Sequence, residues 1–444
     1  MKKRTIFLLI LILTAFAVLI FTQYSKLNII SGYTAKYMAS GVFIANRSME
    51  SLESQDTNVP LVKLADSDVD ILDQEASADV YGLMERTAIC RDGIGCVLIN
   101  DDYEPGPYLR PTRNALDNDL PFPFGNNGLD TTTVEGVDYE QLEIAMDSAF
   151  ARPDVQKTRT VLVLHKNKIL SERYADGFTA ETPILGWSMT KSILATLYGI
   201  LQYQSKLNIE SPAPVTGWQA DGRARITYNH LLRMQSSLEW EEDYTKMSDV
   251  TRMLFMETDM SKTQAEKEAV GHPTQIWNYS SGTSNLLSGV LRDHFDNYQE
   301  YLDFPYAALI DKIGMNSMLI ETDLAGNFVG SSYAWANTRD WARFGALYLN
   351  GGVWNGERIF DEAWIDYITT PTEGSDGTYG AHFWLNAEGK YPDVPRDLYS
   401  ANGYQGQYVF IIPSKDLVIV RTGLAEPPEF DINSFLQRIL DCIP

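Results

Sequence analysis

The apolar positions of the chain follow two periods that change places along its length. In "DYEQLEIAMDSAF" (138–150), Leu142, Ile144, Ala145, Ala149 and Phe150 recur at helical spacing and predict an amphipathic helix. "TRTVLVLHKNKILSERYA" (158–175) instead reads as two strands joined by the turn His165-Lys166-Asn167-Lys168. A strong helix is predicted over 187–203, and 226–345 reads as mostly helical with glycine-marked breaks. Strands then return: "YVFIIP" and "DLVIVRTG" are β-branched runs separated by Pro-Ser-Lys, and "EFDINSFLQRIL" closes as an amphipathic helix. Strands at both ends of a helical middle predict an α/β chain of the α+β type. Its sheet is built from distant segments and flanked by helices, with a mainly helical lobe inserted. The aromatic stripe Trp335, Trp341, Phe344 and Tyr348 belongs to the core of that lobe.

Upstream the pattern is different. Lys2, Lys3 and Arg4 precede an apolar run, Ile6 to Phe21, broken only by Thr14. No charge occurs from Thr5 to Ser25, and a bilayer span needs about 20 residues. Basic residues on the short leading side keep that end in the cytoplasm, so the remainder is expected to be exported. Residues 1–25 are therefore read as an uncleaved membrane anchor, with a cleaved signal peptide as the alternative. Residues 26–135 form an extension of unassigned role. It contains acidic, Ser-rich patches and the Pro/Gly-rich stretches "PGPYLRPTRN" and "LPFPFGNNG". The third domain is 136–444.

Composition narrows the function. The formal net charge is −23 over 444 residues, so a phosphate backbone is repelled and nucleic acid is excluded as a partner. Three cysteines cannot staple a scaffold of this size, and no CxxC or HExxH spacing offers a zinc site. Cys90 and Cys96 either close a short disulfide loop in an oxidising compartment or pack as two small buried residues; Cys442 is a packing residue. The five histidines, 165, 230, 272, 294 and 382, fit no catalytic or metal spacing and are read as structural.

The strongest chemical signal is Ser188-Met189-Thr190-Lys191 in "GWSMTKSILATLYGI". A Ser and a Lys three apart at a helix start share one face. A serine hydroxyl needs a base, and a desolvated neutral lysine can act as one. A first-turn serine also has backbone N–H groups aimed at developing negative charge.

Four blocks follow in order: "ITYNHLLRMQSSLEW", "WNYSSGTSNLL", "GSSYAWANTRDWARFGALYLNGGVWNGERI" and "SANGYQGQYVFIIPSKDLVIVRTG". Together with the Ser-x-x-Lys they resemble the serine β-lactamase and penicillin-binding superfamily over about residues 138–444. The closer likeness is to its class C-related branch of esterases, peptidases and 6-aminohexanoate-dimer hydrolases. The resemblance implies that Tyr279, in the place of the Tyr-x-Asn motif, is the general acid/base coupled to Lys191, with the Lys191 cation favouring its phenolate. Ser281 replaces the motif's Asn among the substrate-binding residues. The third family element is matched by Tyr404-Gln405-Gly406. There Gly406 would let the strand approach the substrate, and the Gln407 N–H would join the Ser188 N–H as the oxyanion hole. Tyr404 brings no positive charge for a substrate carboxylate, which argues against antibiotic hydrolysis. The resulting expectation is an exported serine hydrolase acting on a small or short peptide-like ester or amide, without metal or organic cofactor. A D-amino-acid peptidase of cell-wall peptides, or a non-catalytic binding protein that kept the fold, are the alternatives.

Overall fold

The computed structural model describes residues 2–116 and 118–444; the side chains of 2–4, 6, 12, 13, 15–17, 19–23 and 25 lie outside that description. The chain divides into two compact units. The first comprises Met1–Arg91, Cys96–Gly106 and Asp243–Thr258, the second Asp92–Gly95, Pro107–Glu242 and Asp259–Pro444.

In the first unit a long helix, α1 (Lys2–Phe43), precedes a sheet ordered β1 (Asp66–Asp70), β2 (Glu75–Val80), β3 (Leu83–Arg91), β4 (Gly95–Leu98). Strand β2 alternates strictly, with Ala76, Ala78 and Val80 buried. Small side chains face each other here: Ala35, Met38 and Ala39 of α1 pack on Ala76, Ala78, Ala88 and Cys96. The inserted stretch joins the same unit, for Phe255 lies 5.4 Å from the Tyr33 ring and its carbonyl accepts from Arg86 Nη1. Cys90 and Cys96 form a disulfide, with Cα atoms 3.9 Å apart. Gly93 and Gly95, both at positive φ, turn the chain back between them.

Residues 1–25 are expected to form a membrane anchor, but part of that stretch lies outside the described side chains. Among the described residues no helix is long and apolar enough to cross a membrane. The expected boundary at 135 also differs from the structure. Residues 107–135 belong to the second unit because Arg113 pairs with Asp311 at 2.8 Å and Arg343 donates to the carbonyls of Pro123 and Gly125.

The second unit is built on a six-stranded antiparallel sheet. Its order is β7 (Trp384–Leu385), β8 (Tyr399–Gly403), β9 (Gln407–Ile412), β10 (Leu417–Gly423), β5 (Thr158–His165), β6 (Lys168–Tyr174). Strands some 250 residues apart meet at β10 and β5, where Val418 faces Leu164 and Val420 faces Leu162. Both sheet faces are covered, which is why the central strands read as unbroken apolar runs. One face carries Val161, Val163, Phe410 and Ile419 against the terminal helix α5 (Ile432–Leu440). The other carries Leu162, Leu164, Val409 and Val418 against α2 (Met189–Tyr203) and α4 (Thr338–Leu349). The stretch 226–345 is less helical than its pattern suggests. Beside α3 (Ser281–Arg292) and α4 it holds only short helices, joined by turns and by the strand pairs of Leu319–Ile320 with Ala334–Ala336. The aromatic stripe is buried as expected.

Helix α4 sits close on the sheet because Gly345 faces Val418 and Val409. A Cβ there would stand 3.0 Å from Val409 Cγ1 and closer still to Val418. Gly345→Val is expected to cost about 1–3 kcal/mol by overpacking, read as a lowered midpoint in urea unfolding; an unchanged midpoint would contradict this account of the contact.

Candidate active site

The turn before α2 is strained in a useful way. Trp187 holds φ 48°, a left-handed conformation uncommon for so bulky a residue. Gly186 N–H donates to the Ala334 carbonyl, and Thr190 Oγ1 bridges the Trp187 carbonyl and the Ala334 N–H, so the turn is tied to the neighbouring strand. Ser188 thereby sits at the N-terminal end of α2 without using its hydroxyl as a helix cap. That hydroxyl lies 3.0 Å from Lys191 Nζ.

Lys191 is buried, and its three donor positions are all taken: Ser188 Oγ, Ser281 Oγ at 2.9 Å and the Ser331 carbonyl at 3.0 Å. Loss of water lowers its pKa to about 8, while the Glu242 carboxylate pulls in the opposite direction. His382, which also faces this lysine, is buried and held neutral by desolvation, with its ring bonded to the Leu232 carbonyl and to Ser284 Oγ.

Tyr279 stands beside Ser188, and its ring lies 4.9 Å from Lys191 Nζ, with Trp384 and Tyr379 against it at 5.4 and 5.8 Å. Burial, reinforced by Glu242, pushes its pKa well above that of a free phenol. The lysine-stabilised phenolate expected from the motif is therefore not the resting form; this hydroxyl keeps its proton.

Ser281 does not face a substrate. It is completely buried, accepts from Lys191, and donates both its N–H and its hydroxyl to Glu242, at 2.9 and 2.5 Å. Trp240 Nε1 fixes the same carboxylate. Glu242 was not singled out by any motif, and no spacing rule links it to a serine 39 positions downstream. It lies two residues beyond the block "ITYNHLLRMQSSLEW".

The remaining predicted residues occupy the β8–β9 hairpin, three positions out of the expected register. Gly403, the last residue of β8, is the glycine that meets the nucleophile's turn: a Cβ there would strike the Gly186 carbonyl and lie 3.1 Å from Trp187 Cβ. Gly406 lies instead against the Ala425 carbonyl and the Arg421 guanidinium. Gln407 pairs with Gly403 across the ladder, and its side chain braces the hairpin through the Tyr404 and Gly423 carbonyls. Tyr404 meets Trp187 edge-on at 5.3 Å. Gln405, at φ 61°, forms the turn with Gly406, whose N–H donates to the Gly403 carbonyl.

A buried lysine beside a helix-start serine, a protonated tyrosine over both, and a glycine-tipped strand are brought together. Residues 149–433 match the sequence profile of the Beta-lactamase family. The chain belongs to the β-lactamase family. The 6-aminohexanoate-dimer hydrolase of Paenarthrobacter ureafaciens is 24% identical over 365 residues, covering 74% of this chain and 88% of the relative. A Bacillus anthracis protein described as a candidate 6-aminohexanoate-dimer hydrolase superposes with a TM-score of 0.58 at 20% identity, covering 74% of this chain and 90% of that one. A family VIII carboxylesterase superposes at 0.55 with 14% identity, covering 71% of this chain and 100% of the other. These superpositions establish the shared mixed α/β fold.

Within this β-lactamase-family chain, Glu242 sets the charge around Lys191. Glu242→Gln removes an anion that stabilises the ammonium, so the lysine should lose its proton at lower pH. The acid limb of Ser188 reactivity is expected to move down by about one pH unit. The pH dependence of labelling by a fluorophosphonate measures this; a limb that stays in place would sever the carboxylate from the lysine.

Proposed function

We propose that this chain is an exported serine hydrolase cleaving an ester or amide through an acyl-enzyme on Ser188. The observation that carries the reading is the 3.0 Å approach of a buried lysine, with pKa lowered to about 8, to a half-buried serine hydroxyl. Neutral Lys191 takes the Ser188 proton as Oγ attacks the carbonyl carbon. The oxyanion forms at the N-terminal end of α2, facing the Ser188 N–H. The second donor in this reading is the Tyr404 N–H, because Gly403 rather than Gly406 approaches the turn. Tyr279, still protonated and beside Ser188, delivers its proton to the leaving oxygen or nitrogen and is reprotonated by the lysine. Water entering in place of the leaving group then gives up a proton along the same route and releases the acid. Glu242 and Ser281 act as positioning residues for Lys191.

Ester and amide substrates are both in keeping with the relatives, which include a 6-aminohexanoate-dimer hydrolase and a carboxylesterase. Export is supported by the basic-flanked apolar run at residues 2–21 and by the Cys90–Cys96 disulfide, a bond that persists in oxidising compartments.

A fluorophosphonate probe should label the protein at Ser188, and Ser188→Ala should abolish labelling; an unlabelled wild-type protein would sink the catalytic reading. Lys191→Ala should lower kcat/KM on a short-chain ester by about 10³ or more. Retention of labelled penicillin on intact protein, lost in Ser188→Ala, would move the assignment to a peptidase of cell-wall stems. For export, an alkaline phosphatase fused after residue 25 should be active in cells; an inactive, stable fusion would place the protein on the cytoplasmic side.

A further inference from the structure

The turn between β2 and β3 holds a bulky residue where the backbone disfavours one. Val80 pairs with Leu83, so Tyr81 and Gly82 are the two residues of the loop, and both have positive φ, 56° and 76°. A two-residue turn of this hand favours Asn-Gly, since a large side chain is strained at its first position. Tyr81 stands there with 72% of its surface exposed, so burial within the protein does not offset the strain. Leu83 is exposed after it. Leu61, at φ 72°, and Leu64 are exposed in the one-turn 3-10 segment that precedes β1.

These four side chains share one end of the first unit. Asp66 pairs with Asp79, which sets the segment ending at Leu64 beside the Tyr81 turn. Helix α1 fixes which end this is. Its Asn28 accepts from Arg86 near the start of β3, while Ala35, Met38 and Ala39 share a cluster with Ala88 farther along, so helix and strand run the same way. The step from Ala88 back to Leu83 covers about 17 Å of strand, the rise of about 11 helical residues. Leu83 and the Tyr81 turn therefore come level with the part of α1 that carries Tyr24 and Lys26, both exposed. Beyond that level the same helix exposes Phe7, Leu8, Leu9, Ile10, Leu11 and Val18 within a run that holds no charge from Thr5 to Ser25. Aromatic rings, leucines and outward-reaching lysines at the end of an apolar helix suit the headgroup level of a bilayer, and exposed Lys63 lies beside Leu64.

We propose that Leu61, Leu64, Tyr81 and Leu83 form a membrane-docking face, seated in the headgroup–acyl boundary of the bilayer that holds the apolar run of α1. This rests on the export reading with an uncleaved N-terminal segment, and adds a second contact that fixes how the first unit stands on the lipid. The strained tyrosine then has a role, because lipid rather than protein buries its ring. The opposite end of the sheet supplies the contrast. Ile71 and Leu72, in the turn between β1 and β2, are also exposed but lie toward the other end of the packed part of α1, where they stay in water.

The test reads lipid contact on the full chain reconstituted in phosphatidylcholine vesicles. Lys63→Cys and Asp73→Cys, each combined with Cys442→Ser, place a thiol-linked NBD dye beside Leu64 or beside Leu72 while keeping every apolar residue of the two ends. The dye at 63 should be quenched severalfold more by lipids with a nitroxide near the headgroup than by lipids with one deep in the chain, and the dye at 73 by neither. Tyr81→Asn should cut the quenching at 63 while leaving the urea midpoint unchanged or higher, since asparagine suits the turn; a tyrosine with only a structural role would do the reverse. Equal quenching at 63 and 73 overturns the face. So does a dye at 63 that no nitroxide lipid quenches, and a blue-shifted emission in that case identifies the cover as a second copy of the chain. A dye on Thr14→Cys separates the two readings. Deep quenching there with none at 63 sinks the face alone, and a protein that does not float with the vesicles sinks anchor and face together.

Discussion

Everything at the site depends on the cost of burying one ammonium group. Stripped of water, the Lys191 side chain is stable only if its donors are met and its charge is reduced or balanced. The fold meets the first condition with two serine oxygens and a backbone carbonyl, and the second with a carboxylate held one serine away. Ser281 is the hinge of this arrangement. A hydroxyl can accept from the lysine while donating to Glu242, so it conveys negative charge toward the ammonium without a direct ion pair. An amide at that position could not do the same with one atom. The departure from the family's Tyr-x-Asn pattern thus has a physical counterpart in an acid placed 39 residues upstream.

Desolvation moves the two titratable groups in opposite directions. It lowers the lysine's pKa toward neutrality and raises that of the tyrosine far from it, because in each case burial disfavours the charged form. One environment therefore prepares a base that is readily neutral and an acid that does not lose its proton prematurely. The rings of Trp384 and Tyr379 pack against Tyr279 and form part of the surroundings that bury it.

Much of this was legible in the sequence because it is local. Ser188 and Lys191 lie three residues apart on one helix, and the apolar runs of β5, β9 and β10 announce a sheet covered on both faces. The hairpin was misread for an equally local reason. "NGYQGQ" contains two glycines three residues apart, either of which could end a strand, and only the pairing of Gly403 with Gln407 decides between them. Glu242 was invisible because a single carboxylate far along the chain has no period and no partner spacing. The middle of the chain read as helical since its apolar residues recur at short intervals, yet they line turns and short helices whose ends are capped by side chains such as Thr227, Ser248 and Asp259.

The stretch Asp243–Thr258 has a consequence for how this chain can be divided. It leaves the second unit directly after Glu242, contributes Met253, Leu254 and Phe255 to the buried interior, and returns at Asp259. A shortened protein beginning at residue 107 would keep every reactive group and yet bare Phe255, whose ring now rests on Tyr33 of the discarded helix. The first hundred residues are thus not a detachable leader in the folding sense. They complete an interior whose other part is supplied by the chain on its way between two elements of the hydrolase.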